Sequence, residues 1–235
     1  MFRSPSGFKG SIQALAAVLM AIFLAVSSGR AQTARNDIRE TNTNRRARIA
    51  RIVAETYTHR WEVGGGGGYL RFRSGEFTQK NSEINFWLNT SYYFNQKLGI
   101  TGELRGNYGN AKPLQGVPDV NVVGDPQVSE YPFMAGPTYR VLMHQKYDVG
   151  FFALGGTAIG KFDGDTHGFP SSQFGFWQST NARPAFSVGL NFDTNLYPNL
   201  SFRIAPNYMG TTFGGELQNN LGVNLGLLYR FGRQK

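Results

Sequence analysis

The sequence has no cysteine, which excludes disulfide staples, thiolate nucleophiles and cysteine-based metal sites. Charge is sparse, with Asp, Glu, Lys and Arg together at 17%. Beyond residue 31 no stretch reaches the ~18 apolar residues that a membrane-spanning helix needs. The motifs of zinc and phosphate chemistry are missing too: no H-E-x-x-H, no Walker loop and no G-x-G-x-x-G. The run "GGGGG" at 64–68 lacks the charged partners of a phosphate cradle and sits within a strand pattern. No catalytic residue, cofactor or metal is therefore expected.

What the chain has in quantity is glycine, 30 residues, and aromatics, 14%. Its opening "MFRSPSGFKG" carries Arg3 and Lys9 and no acid. The 17-residue run "SIQALAAVLMAIFLAVS" and then "SGRAQ" complete the charged, apolar, small-residue order of a secretory signal peptide, expected over residues 1–31. The competing reading, a spanning helix, is disfavoured by the shortness of the run. Cleavage after Ala31 removes three cations and no acid, which takes the formal charge from +9 to +6. A secreted chain without a helical anchor is either soluble beyond the inner membrane or spans a membrane as a closed barrel.

Residues 32–59 form a basic arm without Gly or Pro. It is expected to be a solvated, mobile terminus on the periplasmic side. Ile49, Ile52 and Val53 fall at helical spacing, which allows a short amphipathic helix, and a basic helix of that kind suits anionic lipid headgroups.

From Arg60 the texture changes to alternating strands. In "EINFWLNTSYYF", Ile84, Phe86, Leu88, Thr90, Tyr92 and Phe94 share one face, against Glu83, Asn85, Trp87, Asn89 and Ser91. The closing stretch sets Leu221, Val223, Leu225, Leu227, Tyr229 and Phe231 against Gly222, Asn224, Gly226, Leu228 and Arg230. Eight such strands can be traced. In the first, the parity of Trp61, Val63 and Tyr69 opposes that of Leu70 and Phe72, so a bulge is expected within the glycines. "YDVGFFALGGTAIG" is apolar on both faces and its sidedness is open. Connectors alternate between short (95–99, 144–146, 197–200) and long (74–82, 110–130, 161–181, 211–220).

The polar face settles the environment. Glu103, Arg105, Arg140, Asp193, Arg203 and Arg230 lie mid-strand among Gly, Asn and Ser, while the opposite face carries no charge. A soluble sandwich would wet the polar face with many Lys and Glu. Here the pattern suits a narrow interior filled by paired side chains and an exterior in lipid. The expected fold is all-β, an eight-stranded antiparallel up-and-down transmembrane β-barrel over residues 60–231, with a tail at 232–235.

These features resemble the small eight-stranded outer-membrane barrels of the OmpA/OmpX type. The resemblance rests on the signal peptide, the strands, the loop rhythm and the end "LGLLYRF". That end is similar to the insertion signal read by the barrel assembly machinery, with Tyr229 and Phe231 as its aromatics, although "GRQK" follows. The resemblance implies an outer-membrane location in a Gram-negative envelope. It also implies contact with outer-membrane lipid and lipopolysaccharide, and a structural or adhesion-like role with an unidentified surface ligand at the long loops. It does not extend to the peptidoglycan-binding domain of OmpA.

Two alternatives remain on the residues. A small-solute channel would use the six interior charges as a lining. A lipid-modifying enzyme would need His167 beside Ser171 or Ser172 with Asp165, all within one loop. The "DGD" at 163–165 offers too few oxygens for a calcium loop. The aromatics Phe169, Phe174, Phe176 and Trp177 read as the start of the sixth strand entering a girdle, or as an adhesive patch. The long connectors sum to −4 and the basic balance lies elsewhere, so nucleic acid is not expected as a partner.

Overall fold

The computed structural model describes residues 41–76, 78, 80–111 and 126–233. The expected signal peptide, residues 32–40 of the arm and the last two residues of the tail lie outside them. The chain divides into two units, 1–47 and 48–235. The described part of the first is Thr41 and the opening turns of helix α1 (Asn42–Tyr57). The second holds the end of that helix and eight strands: β1 (His59–Arg73), β2 (Lys80–Tyr93), β3 (Leu98–Asn110), β4 (Gln127–Met143), β5 (Tyr147–Gly164), β6 (Thr180–Tyr197), β7 (Leu200–Thr211) and β8 (Gln218–Arg233). Each strand pairs antiparallel with the next, and β1 pairs with β8, so the sheet closes. Closure leaves no backbone edge, the condition for a sheet to cross lipid.

Sequence alternation becomes wall sidedness. Along β2 buried and exposed residues alternate almost without a break. Ile84 is 72% exposed, Leu88 53% and Leu221 65%. A continuous outer face of large aliphatics and aromatics would drive aggregation in water, whereas in hydrocarbon it is at home. In β5, Asp148, Phe152, Leu154, Ala158 and Phe162 point inward and Phe151 outward, which settles its sidedness.

The expected bulge in the glycine run is absent. β1 keeps continuous register with both neighbours from Trp61 to Arg71. Leu70 and Phe72 differ from Trp61 and Val63 because they face inward, into an apolar part of the lumen. The glycines serve a neighbour instead. Trp87 on β2 lies inward across β1 and its indole donates to the Leu225 carbonyl of β8 at 3.2 Å. A Cβ on Gly226 would come within 2.6 Å of that ring, and one on Gly64 within 3.2 Å. The register shifts occur elsewhere, among them Arg140/Leu142 and Asn195/Tyr197 at the short-turn end. The first turns both Val141 and Leu142 outward.

Aromatics ring both ends of the outer face. Trp61, Tyr92 and Phe94 pack in series at 4.8 and 5.6 Å, with Phe231 stacked on Trp61 at 6.5 Å. Tyr108 and Tyr131 meet at 5.7 Å toward the other end. Short turns at 94–97, 144–146 and 198–199 alternate with connectors at 74–79, 111–126, 165–179 and 212–217. Strands run further than the sequence pattern indicates, so Glu130, Lys161 and Asp163 belong to strands and not to loops. The arm departs from expectation as well: from Asn42 onward it is helical, with Ile49, Ile52 and Val53 half-buried.

If the outer face meets lipid, Leu88→Arg in β2 should cost about 2–4 kcal/mol in equilibrium unfolding from phospholipid vesicles. A cost near zero would mean that this face meets water.

Candidate functional site

The lumen is the best-defined polar site in the molecule, and it is stacked in layers. At the short-turn end the hub is Glu62, fully buried on β1. Register places it opposite Arg230 on β8, whose Nε donates to Glu62 Oε1 at 2.6 Å. Arg140 reaches across the lumen from β4 to the same carboxylate. Arg203 and Asp193 are cross-strand partners on β7 and β6 and form a two-pronged pair at 2.7 and 2.6 Å. Arg230 also binds Asp148 at 2.8 Å. Three guanidinium groups thus face three carboxylates, and the layer is neutral. Such charges survive burial because nearly every one is matched by a partner of opposite sign.

Helix α1 closes this layer from outside. Its last residue, Tyr57, is fully buried. The phenol donates to the His144 carbonyl at 2.8 Å and accepts from Asn195 Nδ2 at 2.9 Å. Its ring lies 5.4 Å from the Arg140 guanidinium and 5.5 Å from that of Arg230. Burial, and next the nearby Asp148, push the Tyr57 phenol above its ordinary range, so it remains a neutral donor. Tyr93 stacks under Arg140 at 3.6 Å.

In the middle of the lumen Arg105 pairs with Glu103 at 2.6 Å. It also donates to Asn207 at 2.8 Å and Ser187 at 3.2 Å on the far wall. Next to it lies a cavity of only about 10 Å³, lined by Trp87, Asn89, Phe152, Leu154, Arg203 and others. That is room for about one water.

The long-loop end is shut by apolar packing. Phe72, Phe162 and Phe213 meet at 5.1–6.4 Å, with Trp177 at 5.9 Å from the first two. Phe174 and Phe176 are buried as well, and Phe169 packs on the cluster. The aromatics of residues 169–177 therefore form neither a girdle nor an adhesive patch; they turn inward. Hydrogen bonds fix this arrangement. Connector 165–179 is held to the residue after β1 by the Trp177 N–H on the Ser74 carbonyl at 3.0 Å. It is held to its own base by Ser179, which accepts from the Phe162 N–H and donates to Asp163.

The six charges singled out from sequence all face the lumen, in two groups: Arg140, Asp193, Arg203 and Arg230 in the lower layer, Glu103 and Arg105 above. Among the described residues Glu62, Asp148, Glu83 and Glu130 are the further buried charges, and of these Glu83 already shares the polar face of its strand in the sequence. Glu62 could have been read from its parity, shared with Gly64 between Trp61 and Val63. Asp148 lay in the strand whose sidedness was open, and Glu130 in a segment taken for loop. His167 is exposed, with φ of 52°. Among the described residues no hydrogen bond joins it to Ser171 or Ser172, and Ser171 is itself buried. The connector does border an open cavity of 610 Å³ with a mixed lining that includes Asp165, Thr166, His167, Phe169, Pro170 and Gln178.

A family model described as the outer membrane protein beta-barrel domain matches residues 17–231. No curated protein matches the chain. Among solved structures, OprG from Pseudomonas aeruginosa is similar at 14% identity and TM-score 0.52, covering 74% of this chain and 97% of that one. Neisserial surface protein A is similar at 10% identity and TM-score 0.51, covering 73% and 97%. Ail, the attachment invasion locus protein of Yersinia pestis, matches at 22% identity and TM-score 0.46, covering 74% and 99%. At these identities the likeness is one of fold.

Glu62→Ala would strand Arg140 and Arg230 in a dry layer. It should destabilise the barrel by about 3–5 kcal/mol, measured as urea unfolding in detergent micelles. A loss below about 1 kcal/mol, the value of an exposed pair, would show that water reaches this layer.

Proposed function

We propose, starting from the fact that this chain belongs to the outer membrane protein beta-barrel domain family, that it is a sealed, non-conducting barrel whose role in the outer membrane is structural and interactive. The observation that carries this reading is the filled lumen. A charge layer capped by Tyr57, a mid-lumen pair beside a water-sized cavity and an aromatic plug stand in series. A channel needs one continuous wet path, and each of the three layers interrupts it.

With the lumen closed, the surfaces left for function are the lipid-facing wall and the two ends. By the usual asymmetry of such barrels the long connectors face outward and the short turns face the periplasm. The wall would contact outer-membrane lipid, and lipopolysaccharide on the outer side. The connector at 165–179, pinned by its buried aromatics, would present the hollow around His167, lined by both polar and apolar residues, to a surface ligand. Enzymatic use of that hollow has no nucleophile–base contact to support it.

The terminal Tyr229 and Phe231 point outward, where assembly factors can read them before β8 closes on β1. Their position supports a role as the assembly signal.

In planar bilayers the refolded chain should show heat-modifiable gel migration and no discrete conductance steps. Regular steps would overturn the sealed-barrel reading. In cells, Phe231→Ala should lower the amount of heat-modifiable barrel severalfold, while the purified variant refolds in detergent at close to the parent yield. Equal levels in cells would remove Phe231 from the assembly signal.

A further inference from the structure

Two interior carboxylates stand outside the neutral groups. The lower layer balances three arginines with three acids, and Arg105 balances Glu103. What remains is Glu83 on β2 and Glu130 on β4, each 1% exposed or less, with no cation paired to either among the described residues.

Their surroundings are built for more than filling space. Register sets Glu83 opposite Gly109 and Glu130 opposite Asn107, so both flank β3. A Cβ on Gly109 would fall 2.7 Å from Glu83 Cγ, so the missing side chain lets Glu83 lie over β3 toward β4. Asn107, completely buried, donates Nδ2 to Glu130 Oε2 at 3.4 Å. Its own Oδ1 has no donor, and neither do both oxygens of Glu83 nor Oε1 of Glu130. Beside Asn107 in register, Asn85 leaves another orphan oxygen. This part of the lumen therefore presents hard oxygen acceptors carrying a formal charge of −2, one step below the aromatic plug residue Phe72 along the wall.

We propose that Glu83, Glu130 and Asn107 form a binding site for one hard divalent cation of the Ca²⁺ or Mg²⁺ class. Carboxylate and amide oxygens are the ligands that such ions take, and a dication cancels the residual charge that burial would otherwise penalise. Since the site lies beneath the plug, the ion would be taken up as the barrel closes. It would then tie β2, β3 and β4 together at the end where the loops are displayed. The inference does not depend on what those loops bind.

The test refolds the full chain from urea into detergent with EDTA, with CaCl₂ or with MgCl₂. After desalting, elemental analysis counts bound metal, and urea titration follows unfolding. Expected are one ion per barrel and a folding equilibrium raised about tenfold at a metal concentration ten times Kd. The charge-free pair Glu83→Gln with Glu130→Gln should fold equally well in EDTA and retain no metal. If calcium alone is retained the site is of the Ca²⁺ type, and if magnesium alone is retained it is of the Mg²⁺ type. Absence of metal together with unfolding indifferent to EDTA overturns the proposal. A protonated-carboxyl infrared band lost in the double variant would then assign neutralisation to protons. Metal retained by the double variant also overturns it, by placing the ion elsewhere.

Discussion

An eight-stranded barrel is too narrow to hold bulk water, and this constraint governs the rest of the molecule. Inward charges depend on partners elsewhere on the wall, because little solvent is available to satisfy them. The lower layer meets that demand in the most economical way. Glu62 takes Arg230 from the adjacent strand and Arg140 from across the lumen, while Asp193 takes Arg203. Glu62–Arg230 and Asp193–Arg203 are set by cross-strand register, so these charges also report whether the strands have closed correctly. A one-residue slip would turn each buried charge toward lipid.

The same narrowness explains the glycine run. A Trp inside such a barrel must lie flat against the wall and find an acceptor for its indole. Trp87 does both by crossing β1 where side chains are missing and bonding to β8. Two features that look unrelated in sequence, Gly64 in the glycine run and a lone tryptophan on a polar face, thus fit together.

Much of this could be read from the residues. Alternation, the segregation of charge to one face and the short-long rhythm of connectors led to the closed barrel and to six of its interior charges. These signals are local and periodic. What escaped was either non-periodic or long-range. The change of β1 from a charged to an apolar interior resembled a parity slip, because alternation reports which residues share a face but not what that face touches. The aromatics of 169–177 were misread because a loop folding back over a lumen leaves no period. The helix before β1 was underestimated for a similar reason. Its sequence is a weak helix signal, and it is fastened by Tyr57, a residue whose partners His144 and Asn195 lie 87 and 138 positions away.

The two ends of the lumen are sealed by opposite physics. Charges close the short-turn end, and they need exact partners, which Tyr57 and Asn195 help to fix. Aromatics close the long-loop end, and their contacts tolerate rearrangement more readily, since burial of apolar area has little directional demand. At the long-loop end connectors leave the wall over a cushion of Phe72, Phe162 and Phe213. Among the described residues the charge layer, the Arg105–Glu103 pair and the aromatic cluster follow one another along the axis. That division between the two ends follows from the placement of polar and apolar groups along the lumen.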